Sequence, residues 1–227
     1  MIDKLYEYRF NIFITTQLII LFGSLLFPPE FFDNALSPIL FLINTLTGIL
    51  LISKKKKLMW FLIALFAISL FVFGSSIFQR GVISHDNLLI QLSVYFLFHV
   101  IVAYQIVLQI WKAKRVNNTV VIGLMSGYIS LGFVAFFIFS IIEIVAPGSF
   151  VGAMLDVNSN DTVRLDSIMY YAYITLLTIG YGEIVPATPV AQKAAILTGL
   201  MGQFYLVIVT AIVVGKYLIN TEKPKDS

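Results

Sequence analysis

Apolar residues along this chain come in long unbroken runs, not in the alternating pattern of a half-buried strand. Six runs approach or exceed the roughly 20 residues needed to cross about 30 Å of hydrocarbon. The first extends from about Phe10 to Phe27 and stops at Pro28-Pro29. The second, about Leu36 to Ile52, ends in Lys54, Lys55, Lys56 and Lys57. A third follows from Leu58 to Phe78 and a fourth from Leu88 to Trp111. The basic link Lys112-Ala113-Lys114-Arg115 leads to a fifth, Thr119 to Val145, and the last runs from Pro189 to Ile219. Between the last two lie a polar loop, Ala146 to Leu165, and an apolar piece of 13 residues, Asp166 to Thr178. As a helix that piece is about 20 Å long, half a crossing, with Asp166 available as its N-cap. The pattern therefore predicts an all-α membrane protein: six transmembrane helices plus a short re-entrant helix and the loop that follows it.

Composition supports this reading. The 227 residues are 59% hydrophobic and only 12% charged, too little polar surface for a soluble domain of this length. There is no cysteine, which excludes disulfides, thiolate metal sites and cysteine nucleophiles. No His/Asp/Glu cluster has metal-ligand spacing, no glycine-rich phosphate loop follows a strand, and no triad is present. No enzyme activity, cofactor or nucleic-acid partner is expected. The first apolar run is too long for a signal peptide and lacks a small-residue cleavage site.

The placement of the basic residues sets an expected orientation. With the N-terminus inside, Lys4, Arg9, Lys54 to Lys57, Lys112, Lys114, Arg115, Lys216, Lys223 and Lys225 are all internal, 12 of 15. Arg80, Arg164 and Lys193 are left outside. An even number of spans then places both termini in the cytoplasm of a multi-pass protein, with the cell membrane as the expected location. A single interrupted segment and no internal repeat make a secondary transporter the weaker membrane reading.

The chemistry is concentrated in Thr175-Leu176-Leu177-Thr178-Ile179-Gly180-Tyr181-Gly182. A cation sheds its water only where fixed oxygens replace it at similar energy, and backbone carbonyls serve if successive ones face one axis. Gly180 and Gly182 supply the backbone angles that L-residues avoid. The carbonyls of Thr178, Ile179, Gly180 and Tyr181 are then the expected cation ligands, with the Thr178 hydroxyl at the inner mouth. Ile179 and Tyr181 are expected to wedge the loop against surrounding helices. Irregular backbone at membrane depth requires a water-filled path or burial in protein. One chain offers one loop where a ring needs four, so a homotetramer is expected.

This stretch resembles the selectivity filter of potassium channels, and residues from about Thr119 to Ile219 resemble that family's two-helix pore module. Over the first 118 residues only the six-span layout is similar. The resemblance implies a peripheral four-helix domain (1–118), a pore domain (119–220) and a short cytoplasmic tail (221–227). Glu183 stands where the family carries an Asp after the filter, and Tyr170 and Tyr171 replace its usual Trp pair, so filter support is retained with altered reach. Ile174 replaces a second carboxylate found in some members, and Leu177 a frequent Thr. Glu143 matches an acidic position that ties the fifth helix to the pore loop, or else is a snorkelling interfacial charge. Gly202 falls at the gating-hinge position, and is equally a close-packing site. Gln203, Leu206 and Thr210 match cavity-lining positions.

The fourth run lacks the arginines of a voltage sensor: Leu88 to Trp111 contains no Lys or Arg. A helix without charge has nothing to move in the membrane field, so weak or absent voltage dependence is expected. Its polar residues Gln91, Tyr95, His99, Gln105 and Gln109 share one face. They read either as interhelical hydrogen-bonding groups or as the lining of a solvated crevice with His99 proton-sensitive. Lys54, Lys55, Lys56 and Lys57 read as a topology signal or as an anionic-lipid contact. The Asn160-Asp161-Thr162 glycosylation pattern carries no weight alone. Only eight residues follow Ile219, so gating is expected within the membrane part, the filter or a partner. The resulting expectation is passive K⁺ conduction. The alternatives are a non-conducting regulatory or scaffold subunit, or a less selective cation channel.

Overall fold

A computed structural model of the chain describes residues 6, 8–28, 31–32, 36–78, 85–113, 117–152, 155 and 161–221. Lys4, Arg80, Lys114, Arg115, Asn160, Lys223 and Lys225, and the tail beyond Thr221, lie outside the described residues. The helices are α1 (Arg9–Phe22, continued by a 3-10 turn, Gly23–Leu25), α2 (Ser37–Ile52), α3 (Lys56–Phe78), α4 (His85–Lys112) and α5 (Asn118–Val145). There follow β1 (Phe150–Gly152), α6 (Asp161–Leu176), β2 (Ile184–Pro186) and α7 (Pro189–Phe204). A π-helical turn (Tyr205–Val209) then leads into α8 (Thr210–Thr221).

Among the described residues four helical stretches are long and apolar enough to cross a membrane: α3, α4, α5, and the rod formed by α7, the π turn and α8. The protein is thus an integral membrane protein. α1 with its extension, and α2, are apolar but shorter, about 25 Å each.

Local chemistry explains the starts. Asn117 caps α5, its Oδ1 accepting from the Val120 N–H at 3.1 Å. Thr188 caps α7, its Oγ1 accepting from the Ala191 N–H at 3.4 Å, with Pro189 in the first position, where a missing N–H costs nothing. α4 has Asp86 in its first turn and Lys112 in its last, each matched to the helix dipole.

α4 packs along α5, which also meets α1, α6 and α7. One half of the core is built from Phe133, Phe137, Phe139, Phe150, Ile168 and Tyr171. The other contains Phe13, Leu62, Phe98, Ile106 and Tyr205. Small residues allow close approach: a side chain on Gly48 would overlap the Phe98 ring, and one on Gly132 the Tyr173 ring. Buried polar groups cross between helices. Gln17 Nε2 donates to Ser130 Oγ at 2.7 Å, and Asn44 Nδ2 donates to Thr16 Oγ1 at 2.7 Å.

The polar stripe of α4 is consumed by packing. Lys55 Nζ donates to Gln105 Oε1 at 2.6 Å, Gln109 Nε2 reaches the Leu51 carbonyl at 3.5 Å, and Gln91 donates to the Tyr95 hydroxyl at 3.3 Å. His99 is fully buried, its Nδ1 2.9 Å from the Tyr95 carbonyl and its ring against Phe98, Phe133 and Phe137. Gln105 and Gln109 thus bond outside α4, Gln91 and His99 bond within it, and His99 is enclosed by aromatic rings where the crevice reading required water.

Candidate functional site

α6 is the short helix expected to be re-entrant, and its bounds correct the sequence expectation. It begins at Asp161, five residues before Asp166, which therefore lies inside the helix and does not cap it. The physical reason is that 161–165 contains no Pro or Gly to stop the helix from extending upstream.

α6 ends in a Schellman arrangement. The Thr178 N–H donates to the Thr175 carbonyl at 3.1 Å and the Ile179 N–H to the Ile174 carbonyl at 2.9 Å. Thr178 consequently sits at φ +59°, in the left-handed region that a β-branched residue rarely adopts. Gly180 and Gly182 follow at φ +57° and +93°. Positive φ at every second residue turns the chain through a path open to neither helix nor strand. No signal in the sequence marked Thr178 as the third such position, since only glycine advertises it. The Ile174 carbonyl also receives the Gly180 N–H at 3.4 Å, tying the loop to its helix.

Within one chain Ile179 and Tyr181 are 47% and 73% exposed. The expected wedge against surrounding helices is therefore not made by helices of the same subunit.

The outer end of the loop is held by a scaffold. Glu183 accepts a hydrogen bond from the Tyr170 hydroxyl. That bond holds the phenol protonated, raising it to about 12. A raised folded-state value favours the proton-bound form, so this contribution is present below the ordinary phenol value near 10 and lost as pH rises toward 12. Tyr171 points the other way, packing on Phe139 and Phe150 in the core.

Immediately after Glu183, β2 pairs antiparallel with β1, Gly152 opposite Ile184 and Phe150 opposite Pro186. A side chain on Gly152 would overlap the Glu183 carbonyl, so this glycine sets how closely the strands approach. β1 is in turn organised by Glu143. Its carboxylate, 3% exposed, accepts from the Gly148 N–H at 2.9 Å and the Phe150 N–H at 3.0 Å, and pairs with Arg164. Glu143 is thus enclosed and joins α5, the loop and α6. Arg164 was legible only as one of the residues on the outer side.

Replacing Glu143 with Gln removes the charge from a buried acceptor of several donors. We expect a loss of about 2 kcal/mol, kept modest because Arg164 is partly solvated. Thermal unfolding of the purified variant checks this, and an unchanged transition temperature contradicts it.

The inner end meets α7. A side chain on Gly202 would overlap the Leu176 carbonyl oxygen, and its Cβ would stand 3.2 Å from Leu176 Cδ1. The same carbonyl accepts from the Tyr128 hydroxyl at 3.3 Å. Gly202 is therefore a close-packing position within a regular helix, and the irregular segment lies just beyond it, at Tyr205–Val209. There Tyr205 turns inward and donates to the Leu124 carbonyl at 2.7 Å. Gln203 Nε2 lies 3.5 Å from Thr178 Oγ1, while Leu206 and Thr210 are exposed on the single chain.

Residues 123–218 match the family model described as Ion channel, a span containing most of α5, all of α6, the loop, α7 and most of α8. The match supports an ion-channel function for this part of the chain. No curated protein and no solved structure matches.

Proposed function

We propose that the chain is a subunit of a homotetrameric, potassium-selective channel of the cell membrane that conducts passively with little voltage dependence. The observation that carries this reading is the loop after α6. Positive φ at Thr178, Gly180 and Gly182 punctuates an otherwise irregular backbone, and two of its apolar side chains find no cover within one chain. Four copies around an axis would cover Ile179 and Tyr181 and turn the carbonyls of Thr178 to Tyr181 inward as K⁺ ligands. Gln203, Leu206 and Thr210 would line the water-filled space beneath.

In this reading residues 1–118 form the peripheral domain and 119–220 the pore, and α1 and α2 also cross, completing six spans. Their shortfall against about 30 Å is met by local thinning or by flanking residues reaching the interface. Arg9, Lys55 and Lys112 lie together at one end of the bundle, where Lys55 is held by Gln105 and Lys216 by the carbonyls at the end of α4. This favours a cytoplasmic assignment for that end and for both termini.

Bilayer recording of the purified protein under a K⁺/Na⁺ gradient tests the proposal. A reversal potential near that of K⁺, with conductance changing little across stepped voltages, is expected. Absence of current identifies a non-conducting subunit, and a reversal near zero a less selective cation channel. A steep sigmoidal voltage dependence contradicts the argument from the charge-free stretch Leu88 to Trp111 of α4.

A further inference from the structure

The basic end of the bundle also carries an open cavity of about 380 Å³, bounded by the start of α1, the turn before α3, the end of α4 and the start of α5. Arg9, Lys55 and Lys112 line it, and none of the described residues lining it is acidic. Phe10, Leu108 and Val120 also line it, so cationic and hydrocarbon surfaces share one space. Asn117 and Thr119, at the N-terminal end of the 28-residue α5, contribute the positive end of that helix's dipole.

The local source of opposing potential is the carbonyl end of α4, and it is already occupied. Lys216 Nζ donates to the carbonyls of Ile110, Trp111 and Ala113 at 3.2, 2.6 and 2.9 Å. Two of the lining cations are held in position. Arg9 stacks on the rings of Tyr6 and Phe10, 4.1 and 4.7 Å from their centroids, with Nη1 on the Tyr6 carbonyl and a buried Nε lacking any hydrogen-bond partner. Lys55 is held by Gln105. Positioned cations with no counter-charge among the described lining residues, beside an apolar wall, are suited to an anion that carries its own hydrocarbon.

We propose that this cavity binds a phosphate-bearing anion, supplied by an anionic membrane phospholipid: the headgroup phosphate lies among Arg9, Lys55 and Lys112, and an acyl chain runs along Phe10, Leu108 and Val120. Such a site differs from diffuse attraction to the neighbouring Lys54, Lys56 and Lys57, which do not line the cavity. It also stands independently of conduction, since binding is read without current.

The test uses the delipidated full-length protein in neutral detergent. Its unfolding temperature is followed as phosphatidylglycerol, phosphatidylcholine, glycerol 3-phosphate or inorganic phosphate is added. Phosphatidylglycerol is expected to raise the transition and phosphatidylcholine to leave it unchanged. Each cavity cation removed weakens the lipid response about fivefold. The triple change Arg9→Gln, Lys55→Gln, Lys112→Gln therefore abolishes it, while Lys54→Gln, Lys56→Gln, Lys57→Gln, with the same loss of charge, retains it. Because Arg9 also packs on two rings, Lys112→Gln alone serves as the second variant. It should unfold normally without lipid and bind about fivefold more weakly. Equal loss in both triple variants, or an equal response to phosphatidylcholine, overturns the site. A full response to inorganic phosphate or glycerol 3-phosphate overturns the lipid as source and assigns the cavity to a free phosphate-bearing ligand.

Discussion

Substituting Gly182 with alanine is expected to abolish potassium-selective flux while leaving the protein membrane-inserted. Gly182 sits at φ +93° with no neighbouring atom close enough to meet a new Cβ, so the obstacle is the backbone and not space. An L-residue held there costs about 1–3 kcal/mol, and in the proposed ring of four subunits the strain would be applied four times at one place. The chain relieves it by rotating the peptide, and rotation takes the adjoining carbonyl off the shared axis. Gly148 makes the comparison informative. It has φ +83°, also with nothing near its would-be Cβ, but lies in the loop after α5, joined to the filter loop only indirectly, through Glu143 and the paired strands. Gly148→Ala should carry similar strain and keep selective flux. Potassium flux from liposomes containing each variant checks the pair. Wild-type selectivity from Gly182→Ala contradicts the proposed role of the loop.

Gly202→Ala produces the second large effect, this time on stability. Alanine improves helix propensity by about 1 kcal/mol. The added methyl, however, meets the Leu176 carbonyl, a backbone atom that cannot swing aside, and overpacking of this kind costs about 1–3 kcal/mol. The cost wins, because separating α7 from the end of α6 also disturbs the carbonyl held by Tyr128 and the turn that carries Thr178. A lower unfolding temperature is expected, together with reduced flux. Gly74→Ala on α3, where nothing lies within 4 Å, should be neutral or slightly stabilising. If Gly202→Ala instead unfolds like the wild type and alters only open probability, the glycine acts as a hinge. The present geometry assigns any bending to the π turn at Tyr205–Val209, where the helical hydrogen bonds change register.

The scaffold of the loop is built from contacts that no local pattern announces. β1 and β2 are three residues each, too short for any periodicity, and pair across more than thirty positions of chain. Glu143 and Arg164 are 21 residues apart and meet because α5 and α6 pack together. Tyr170 and Tyr171 are neighbours in sequence with opposite fates, one reaching Glu183 and the other entering the core, because adjacent residues on a helix point about 100° apart.

Short-range physics was legible in the residues themselves. Run length against bilayer thickness, the half-length apolar piece before Thr178, alternate glycines at Gly180 and Gly182, and a fourth helix free of charge all depend on neighbours within a few positions. The tertiary structure alone decided that Thr178 takes a left-handed conformation, that Gly202 is pressed against Leu176, that His99 is sealed among rings, and that Arg9, Lys55 and Lys112 share a cavity. Each of these depends on which surfaces meet, and packing brings together residues whose separation along the chain carries no trace of their contact.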